Sequence, residues 1–111
     1  MKSKFAVVVA LAACLFLVTA GSASAATKTR VTIKEESGGF HGYVKSSKDR
    51  CVVSRVVVLL KKKPGKDKVI GTDYAEKNGM WSTGNTGSTN GAFYALAPKI
   101  TGCAVGKSKT I

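Results

Sequence analysis

The sequence predicts an all-β protein: a single antiparallel β-sandwich of about seven short strands that follows a cleaved signal peptide. Two observations predict this fold. Short alternating or β-branched runs recur along residues 26–111, with residues that favour turns between them. No stretch beyond the leader shows a sustained helical period, so two packed antiparallel sheets are the expected architecture.

Residues 1–25 have the three parts of a signal peptide. Two lysines precede a continuous apolar run, and Ala23 and Ala25 form an A-x-A cleavage pattern that places the cut before Ala26. A membrane anchor is the alternative, but the apolar run is shorter than the roughly 20 residues that span a bilayer. We therefore expect a secreted, extracellular domain of residues 26–111.

Cys14 raises a second alternative, a lipid anchor. Residues 11–14 read Leu-Ala-Ala-Cys and resemble a bacterial lipobox. The residues that follow Cys14 stay apolar, whereas a lipid-modified cysteine normally begins a polar mature chain. The cleaved leader is therefore the favoured interpretation.

Removing the leader leaves a small and strongly basic chain. The whole sequence has 18 Lys and Arg against 6 Asp and Glu, a net charge of +12. The leader holds two of the lysines and none of the acids, so 16 basic and 6 acidic residues remain, a net charge of +10. A chain of about 86 residues buries only about 60–65% of its unfolded surface, so a covalent link would help such a domain.

Two cysteines remain after cleavage, Cys51 and Cys103, and we expect them to form a disulfide in an oxidising compartment. Closing a loop of about 50 residues stabilises by about 4 kcal/mol in the chain-entropy model. A reactive thiol or redox pair is the alternative, but the chain has no C-x-x-C motif.

The first predicted strands follow one another from residue 30. Residues 30–34 alternate, and in residues 40–45 Phe40, Gly42 and Val44 share one face. Residues 56–60 are continuously apolar, which suggests a central strand covered on both faces. Pro64-Gly65 predicts a type II turn, because proline presets φ and glycine permits φ > 0. The next strand is residues 68–75.

The last three strands are predicted at residues 80–83, 92–97 and 107–111. Asn78-Gly79 is typical of a type I′ turn, so we expect a hairpin between the strands on either side of it. Between Gly84 and Gly91 the chain has no apolar residue, which predicts a flexible surface loop.

Several of these segments together resemble the carboxypeptidase-regulatory-like and transthyretin-like (prealbumin-like) sandwich domains of small secreted bacterial proteins. The segments are Gly71-Thr72-Asp73, Asn78-Gly79-Met80-Trp81 and Gly91-Ala92-Phe93-Tyr94-Ala95, with Phe40-x-Gly42-x-Val44-x-Ser46 and two cysteines. The resemblance implies an immunoglobulin-like or prealbumin-like sandwich and a non-catalytic structural or binding role. It supplies no binding residue.

Catalytic chemistry has little support in the sequence. His41 is the one histidine, so the sequence offers no second imidazole for a metal site and does not support a Ser-His-Asp triad. The carboxylates lie mostly beside lysines rather than in apolar surroundings that would raise a pKa. We predict no enzyme activity, catalytic residue, metal or cofactor. The six carboxylates are Glu35, Glu36, Asp49, Asp67, Asp73 and Glu76.

The positive charge carries the most functional content. Five lysines surround the Pro64-Gly65 turn and form a candidate anion-binding patch. They would suit anionic envelope polymers, acidic polysaccharide or lipid head groups better than nucleic acid, with salt-sensitive binding. The alternative is that they only keep an exposed sheet edge soluble. The five are Lys61, Lys62, Lys63, Lys66 and Lys68.

The aromatic residues offer a second candidate surface. Trp81 is expected in the core near the disulfide, and Tyr43 and Tyr74 are the candidates for exposure. The sequence thus leaves two functions open for a monomer. One is a basic binding or structural module at the envelope, and the other is a small secreted effector or inhibitor that presents loop 84–91 to a protein partner.

Overall fold

The computed structural model describes residues 25–111, so the predicted leader with Cys14 lies outside the described residues apart from its last position. In this part of the chain, eight strands form two antiparallel sheets of four strands each. The two sheets share one apolar core, in which the rings of Phe40 and Phe93 meet at 4.6 Å between centroids. The predicted all-β sandwich is therefore confirmed.

The first sheet is built around one central strand. β3 pairs on one side with β1 and β2 and on the other side with β6. The bounds are β1 Arg30–Val31, β2 Lys34–Glu36, β3 Gly39–Lys45 and β6 Met80–Asn85.

The predicted strand 30–34 is interrupted in the middle, although β1 and β2 keep one register against β3. Thr32 causes the break, because Tyr43 N–H donates to its Oγ1 (2.8 Å) instead of to its carbonyl. That carbonyl accepts a hydrogen bond from Nε1 of Trp81 (3.2 Å). A Cβ on Gly42 would collide with the Thr32 carbonyl, so this contact requires glycine within β3.

β2 and β3 are joined by a tight hairpin that the sequence analysis missed. Its two central residues, Ser37 and Gly38, have φ of 52° and 82°. Positive φ at both positions defines a type I′ turn, which matches the twist of the flanking strands. Serine is a weaker signal for this turn than asparagine or aspartate, which is why the hairpin was overlooked.

The second sheet has the strand order β5-β4-β7-β8. Gly65 has φ of 81° between β4 and β5, in agreement with the predicted turn. The last predicted strand is shorter than residues 107–111, yet Phe93 and Ile111 still exchange backbone hydrogen bonds of 2.9 Å. The bounds are β4 Val56–Lys61, β5 Lys68–Tyr74, β7 Phe93–Ala97 and β8 Gly106–Lys107.

The prediction that the two strands on either side of Asn78-Gly79 pair with each other is wrong. The chain does turn there, since Gly79 N–H donates to the Glu76 carbonyl (2.7 Å). It is not the predicted type I′ turn, because Gly79 has a positive φ (90°) and Asn78 does not. The strands then separate, because β5 belongs to the second sheet and β6 to the first. Gly79 already pairs with β3 through its carbonyl, which accepts from Val44 N–H (2.8 Å).

Burial corrects the expectation that residues 56–60 are covered on both faces. Val57 and Leu59 are fully buried, but Val56, Val58 and Leu60 are only half-buried. β4 is central within its sheet, yet only one of its faces meets the core. The predicted burial of Phe40, Gly42 and Val44 on one face of β3 is observed.

A disulfide and a buried arginine connect the same two segments at one end of the sandwich. Cys51 and Cys103 form the predicted disulfide, with 5.6 Å between their Cα atoms. Arg55 is 2% exposed and donates to the carbonyls of Cys51 (2.9 Å) and Ala104 (2.8 Å). Burial lowers the pKa of Arg55 from its ordinary value.

Candidate anion-binding surface

The Lys-rich hairpin is the connection between β4 and β5. Lys61 ends β4 and Lys68 begins β5, where the two residues pair directly. The residues between them are exposed except for Asp67, which is half-buried. The predicted patch therefore occupies one hairpin at one end of the sandwich.

The five lysines do not share one face of this hairpin. Lys61 pairs with Phe93 and places its Nζ 5.7 Å from the centroid of that core ring. Lys62 lies on the opposite, outer face, with its Nζ 5.6 Å from the Tyr94 ring. Lys63 and Lys66 are exposed at the tip. The charge that a ligand can reach is concentrated at the tip and the outer face.

Lys107, Tyr94 and Asp67 complete this surface and were missed as site residues. Lys107 comes from β8 and places its Nζ 4.8 Å from the Tyr94 ring. Two ammonium groups therefore contact one aromatic ring, an arrangement favoured by cation–π attraction. Lys107 is far from the hairpin in sequence, and only the pairing of β7 with both β4 and β8 brings it there. No local pattern could have indicated this contact.

Asp67 is held at the centre of these cations. It accepts hydrogen bonds from the hydroxyl of Tyr94 (2.6 Å) and from Lys63 N–H (3.1 Å). The hydrogen bond from Tyr94 is the main cause that lowers the pKa of Asp67, and the bond from Lys63 and the charges of Lys62 and Lys107 lower it further. Partial desolvation of the carboxylate acts in the opposite direction. The same bond, together with desolvation and the carboxylate charge, raises the pKa of Tyr94. At neutral pH Asp67 is an anion that orders the surrounding groups.

A second cationic cluster, also missed from the sequence, lies at the other end of the sandwich. Lys28, Arg30 and Lys45, with Ser46 and Ser47, line an open cleft of about 310 Å³. Arg30 and Lys45 are direct cross-strand neighbours, a placement of like charges that disfavours pairing. The cleft is at the Lys45 end of β3, whereas Phe40, near the opposite end of β3, contacts Phe93 beside the hairpin.

The candidate exposed aromatics lie on different sheets. Tyr43 is 40% exposed on β3, and Tyr74 is 63% exposed on β5. Both point away from the core, so they lie on opposite outer faces and do not form a common stacking platform. Trp81 is buried, with its Nε1 bonded to Thr32.

The groups considered for catalysis are dispersed. His41 is paired with Glu36 at 3.7 Å on the outer side of the first sheet. Asp73 accepts a hydrogen bond from Ser82 N–H (2.8 Å) and so connects β5 to β6. Among residues 25–111, no group of three His, Cys, Asp or Glu residues is placed to hold a metal ion.

The predicted loop 84–91 begins later than expected. Gly84 and Asn85 belong to β6 and pair with Phe40 and Gly39 of β3. The remaining loop is held in part by its own polar groups, such as Gly87 N–H on Oδ1 of Asn85 (2.7 Å). Thr86 is also held, because its N–H and its Oγ1 donate to the Gly38 carbonyl (3.0 and 3.3 Å). The segment that could reach a partner is therefore residues 87–91.

Comparison with protein-family models, with curated proteins and with solved structures found no match to this chain. The resemblance to carboxypeptidase-regulatory-like and transthyretin-like domains therefore stays a prediction. In the described part of the chain, no helix is both long and apolar enough to cross a bilayer.

Proposed function

We propose that this protein is a secreted, non-enzymatic module that docks anionic polymers of the cell envelope through the hairpin surface, defined here as Lys62, Lys63, Lys66 and Lys107 around Tyr94. One observation carries the proposal. Lys62 of the β4–β5 connection and Lys107 of β8 contact the same Tyr94 ring, and the nearby carboxylate of Asp67 accepts hydrogen bonds from Tyr94 and Lys63. Among residues 25–111 neither ammonium group has a carboxylate oxygen within 4 Å, so both are available to an external anion.

The surrounding molecule supports this role. The sequence after the leader carries a net charge of +10, which attracts polyanions over a distance of about 8–10 Å at physiological salt. The Cys51–Cys103 disulfide is typical of proteins that function in oxidising compartments. The prealbumin-like domains that the sequence resembles have an implied role that is non-catalytic, and the proposal takes over that role.

Lysines suit a ligand that has many charges and no fixed geometry. Each ammonium is a flexible point charge, whereas bidentate recognition of a single carboxylate or phosphate favours arginine. Binding is then driven by release of counterions from the polymer and weakens steeply as salt increases. This behaviour separates docking from the alternative in which the lysines only protect the edge strand β5 from pairing.

The test compares two variants that lose the same charge at opposite ends of the sandwich. The hairpin variant is Lys62→Gln/Lys63→Gln/Lys66→Gln, and the matched control is Lys28→Gln/Arg30→Gln/Lys45→Gln. Lys61 is left intact because it packs over the core ring of Phe93.

The exported proteins are purified without reductant, and their intact masses are measured. Retention on immobilised polyphosphate, on a sulfated polysaccharide and on isolated cell envelopes is then followed across a salt series. We expect the slope of log affinity against log salt to fall by on the order of one per hairpin lysine removed, and by much less in the control. If the hairpin variant and the control lose equal retention, binding depends on net charge alone and not on the hairpin surface. If the parent is not retained, or if its retention does not depend on salt, docking is refuted.

The alternative function, an effector or inhibitor that presents loop 84–91, has its own test. The loop is shortened by deleting residues within 87–91 only, because Gly84 and Asn85 pair with β3 and Thr86 is bonded to Gly38. Loss of partner inhibition in that variant, with retention on polyanions unchanged, would favour the alternative.

A further inference from the structure

The outer face of the second sheet is apolar across three strands. Val56, Val58 and Leu60 of β4 alternate with the buried Val57 and Leu59, so they point away from the core. Their cross-strand partners lie on the same face. These partners are Tyr74 opposite Val56, Leu96 and Thr72 opposite Val58, and Val69 and Tyr94 opposite Leu60. The exposed Thr72 interrupts the apolar row on β5.

This face is open to solvent at its β5 edge. Val69 is 57% exposed and Tyr74 is 63% exposed. An antiparallel sheet with one face on the core normally carries polar side chains on its other face. The first sheet follows that rule, since His41, Tyr43 and Lys45 form the outer side of β3. The second sheet therefore exposes apolar area that its own fold does not use.

Cations border the apolar face. Lys62 and Lys107 stand over Tyr94, and Lys107 is directly opposite Leu96. Asp67 lies at the same margin, where it accepts a hydrogen bond from the Tyr94 hydroxyl, so two lysines stand against one carboxylate there. Asp73 of β5 is turned to the other sheet, where it accepts a hydrogen bond from Ser82 N–H. A partner for this face must offer apolar groups to the sheet and negative charge to the lysines at the border of the sheet.

We propose that this face binds an anionic lipid surface, with Val69 and Tyr74 inserted at the head-group level and the flanking lysines on the phosphates. This inference rests on the proposed function, since it uses Lys62 and Lys107, and it names lipid as the ligand class. Tyrosine and lysine suit this position because each has an apolar body and a polar end that reaches water. A soluble polymer would use the lysines but not the apolar side chains.

A second copy of this chain fits the face less well than a lipid surface. Pairing two such faces would bring Lys62 and Lys107 of both copies to the margin of one interface, where like charges repel. An anionic bilayer offers the opposite charge at that margin, which attracts lysines near its surface. Charge complementarity therefore selects the lipid.

The experiment measures co-sedimentation of the exported, oxidised protein with vesicles of phosphatidylcholine, with and without phosphatidylglycerol. The test variants are Tyr74→Ser and Val69→Ser/Tyr74→Ser, and the matched control is Tyr43→Ser on the opposite outer face. All three residues are exposed, so the variants should retain the fold, which thermal unfolding checks. Binding of each variant to soluble polyphosphate is measured in parallel.

We expect vesicle binding to require phosphatidylglycerol and to weaken roughly tenfold to a hundredfold in the double variant, with polyphosphate binding unchanged. Tyr43→Ser should bind vesicles like the parent. If the double variant binds vesicles as well as the parent does, the lipid inference is wrong while polymer docking stands. If the parent binds neither probe, both proposals fail. A concentration-dependent dimer that the double variant abolishes would instead assign this face to self-association.

Discussion

Replacing Arg55 by methionine is expected to destabilise the domain by about 3 kcal/mol, close to the effect of losing the disulfide. Its guanidinium is buried and makes four hydrogen bonds. Nη1 donates to Oγ1 of Thr29 (3.1 Å) and to the Cys51 carbonyl (2.9 Å), and Nη2 donates to the carbonyls of Pro98 (3.0 Å) and Ala104 (2.8 Å). One side chain thus connects four separate positions of the chain.

The size of this loss in stability depends on whether water can reach the acceptors that Arg55 leaves behind. The bonds to Pro98 and Ala104 are only part-buried, so water replaces them in the variant at little cost. The two buried bonds, to Thr29 and Cys51, contribute about 1.5–3 kcal/mol each, because the donor is charged. Desolvation of the cation offsets part of this sum, and Nε has no partner among the described residues. A loss of about 3 kcal/mol corresponds to a Tm lower by roughly 12–24 °C for a domain of this size.

Urea unfolding of the oxidised protein, with thermal melts in parallel, measures this effect. Arg50→Met is the matched control, because Arg50 is exposed and donates one bond to the Thr101 carbonyl (3.2 Å). The control should lose less than about 1 kcal/mol. If Arg55→Met loses no more than Arg50→Met, the buried bonds contribute nothing to stability and the reasoning is refuted.

Two further predictions concern the disulfide and the carboxylate at the hairpin. Reducing the Cys51–Cys103 disulfide, which joins residues 52 apart, should lower the free energy of unfolding by about 4 kcal/mol in urea titrations with and without reductant. An unchanged midpoint would contradict this estimate. Tyr94→Phe should be less stable than the parent at neutral pH, since it loses the bond to Asp67. The stability that the lowered pKa of Asp67 contributes is fully present above the unfolded pKa of about 4, and it is lost as pH falls through the folded pKa. The stability that the raised pKa of Tyr94 contributes is fully present below the unfolded pKa of about 10, and it is lost as pH rises through the folded pKa. The stability difference between the two proteins should therefore narrow at both ends of the pH range, and a difference independent of pH would contradict the assignment.

Local patterns predicted the strands well, because alternation and turn residues act over a few neighbours. The alternation of Phe40, Gly42 and Val44 correctly indicated one buried face. The apolar run 56–60 was ambiguous, since a strand that is covered on both faces and a strand with one exposed apolar face have the same composition.

Strand partners could not be predicted, because pairing depends on contacts distant in sequence. Asn78-Gly79 correctly indicated a reversal of the chain, but β6 pairs with β3 rather than with β5. Lys107 lies beside Tyr94 only because β8 pairs with β7, a contact that no local pattern indicates.

Arg55 was overlooked because an arginine at the start of a strand usually lies at the surface. Its burial depends on carbonyls contributed by Cys51, Pro98 and Ala104, which sequence spacing does not bring together.

The separation of β5 and β6 into different sheets also affects how the protein folds. β6 pairs with β3, but β4 and β5, which belong to the other sheet, lie between these two strands in the chain. The β4–β5 hairpin closes a short loop and can form early, whereas the β3–β6 pair must close a loop of more than 30 residues. The β4–β7 pair also closes a loop of more than 30 residues, so neither sheet is completed by local pairing alone. Folding is therefore expected to take milliseconds to seconds, the range of domains dominated by distant pairings.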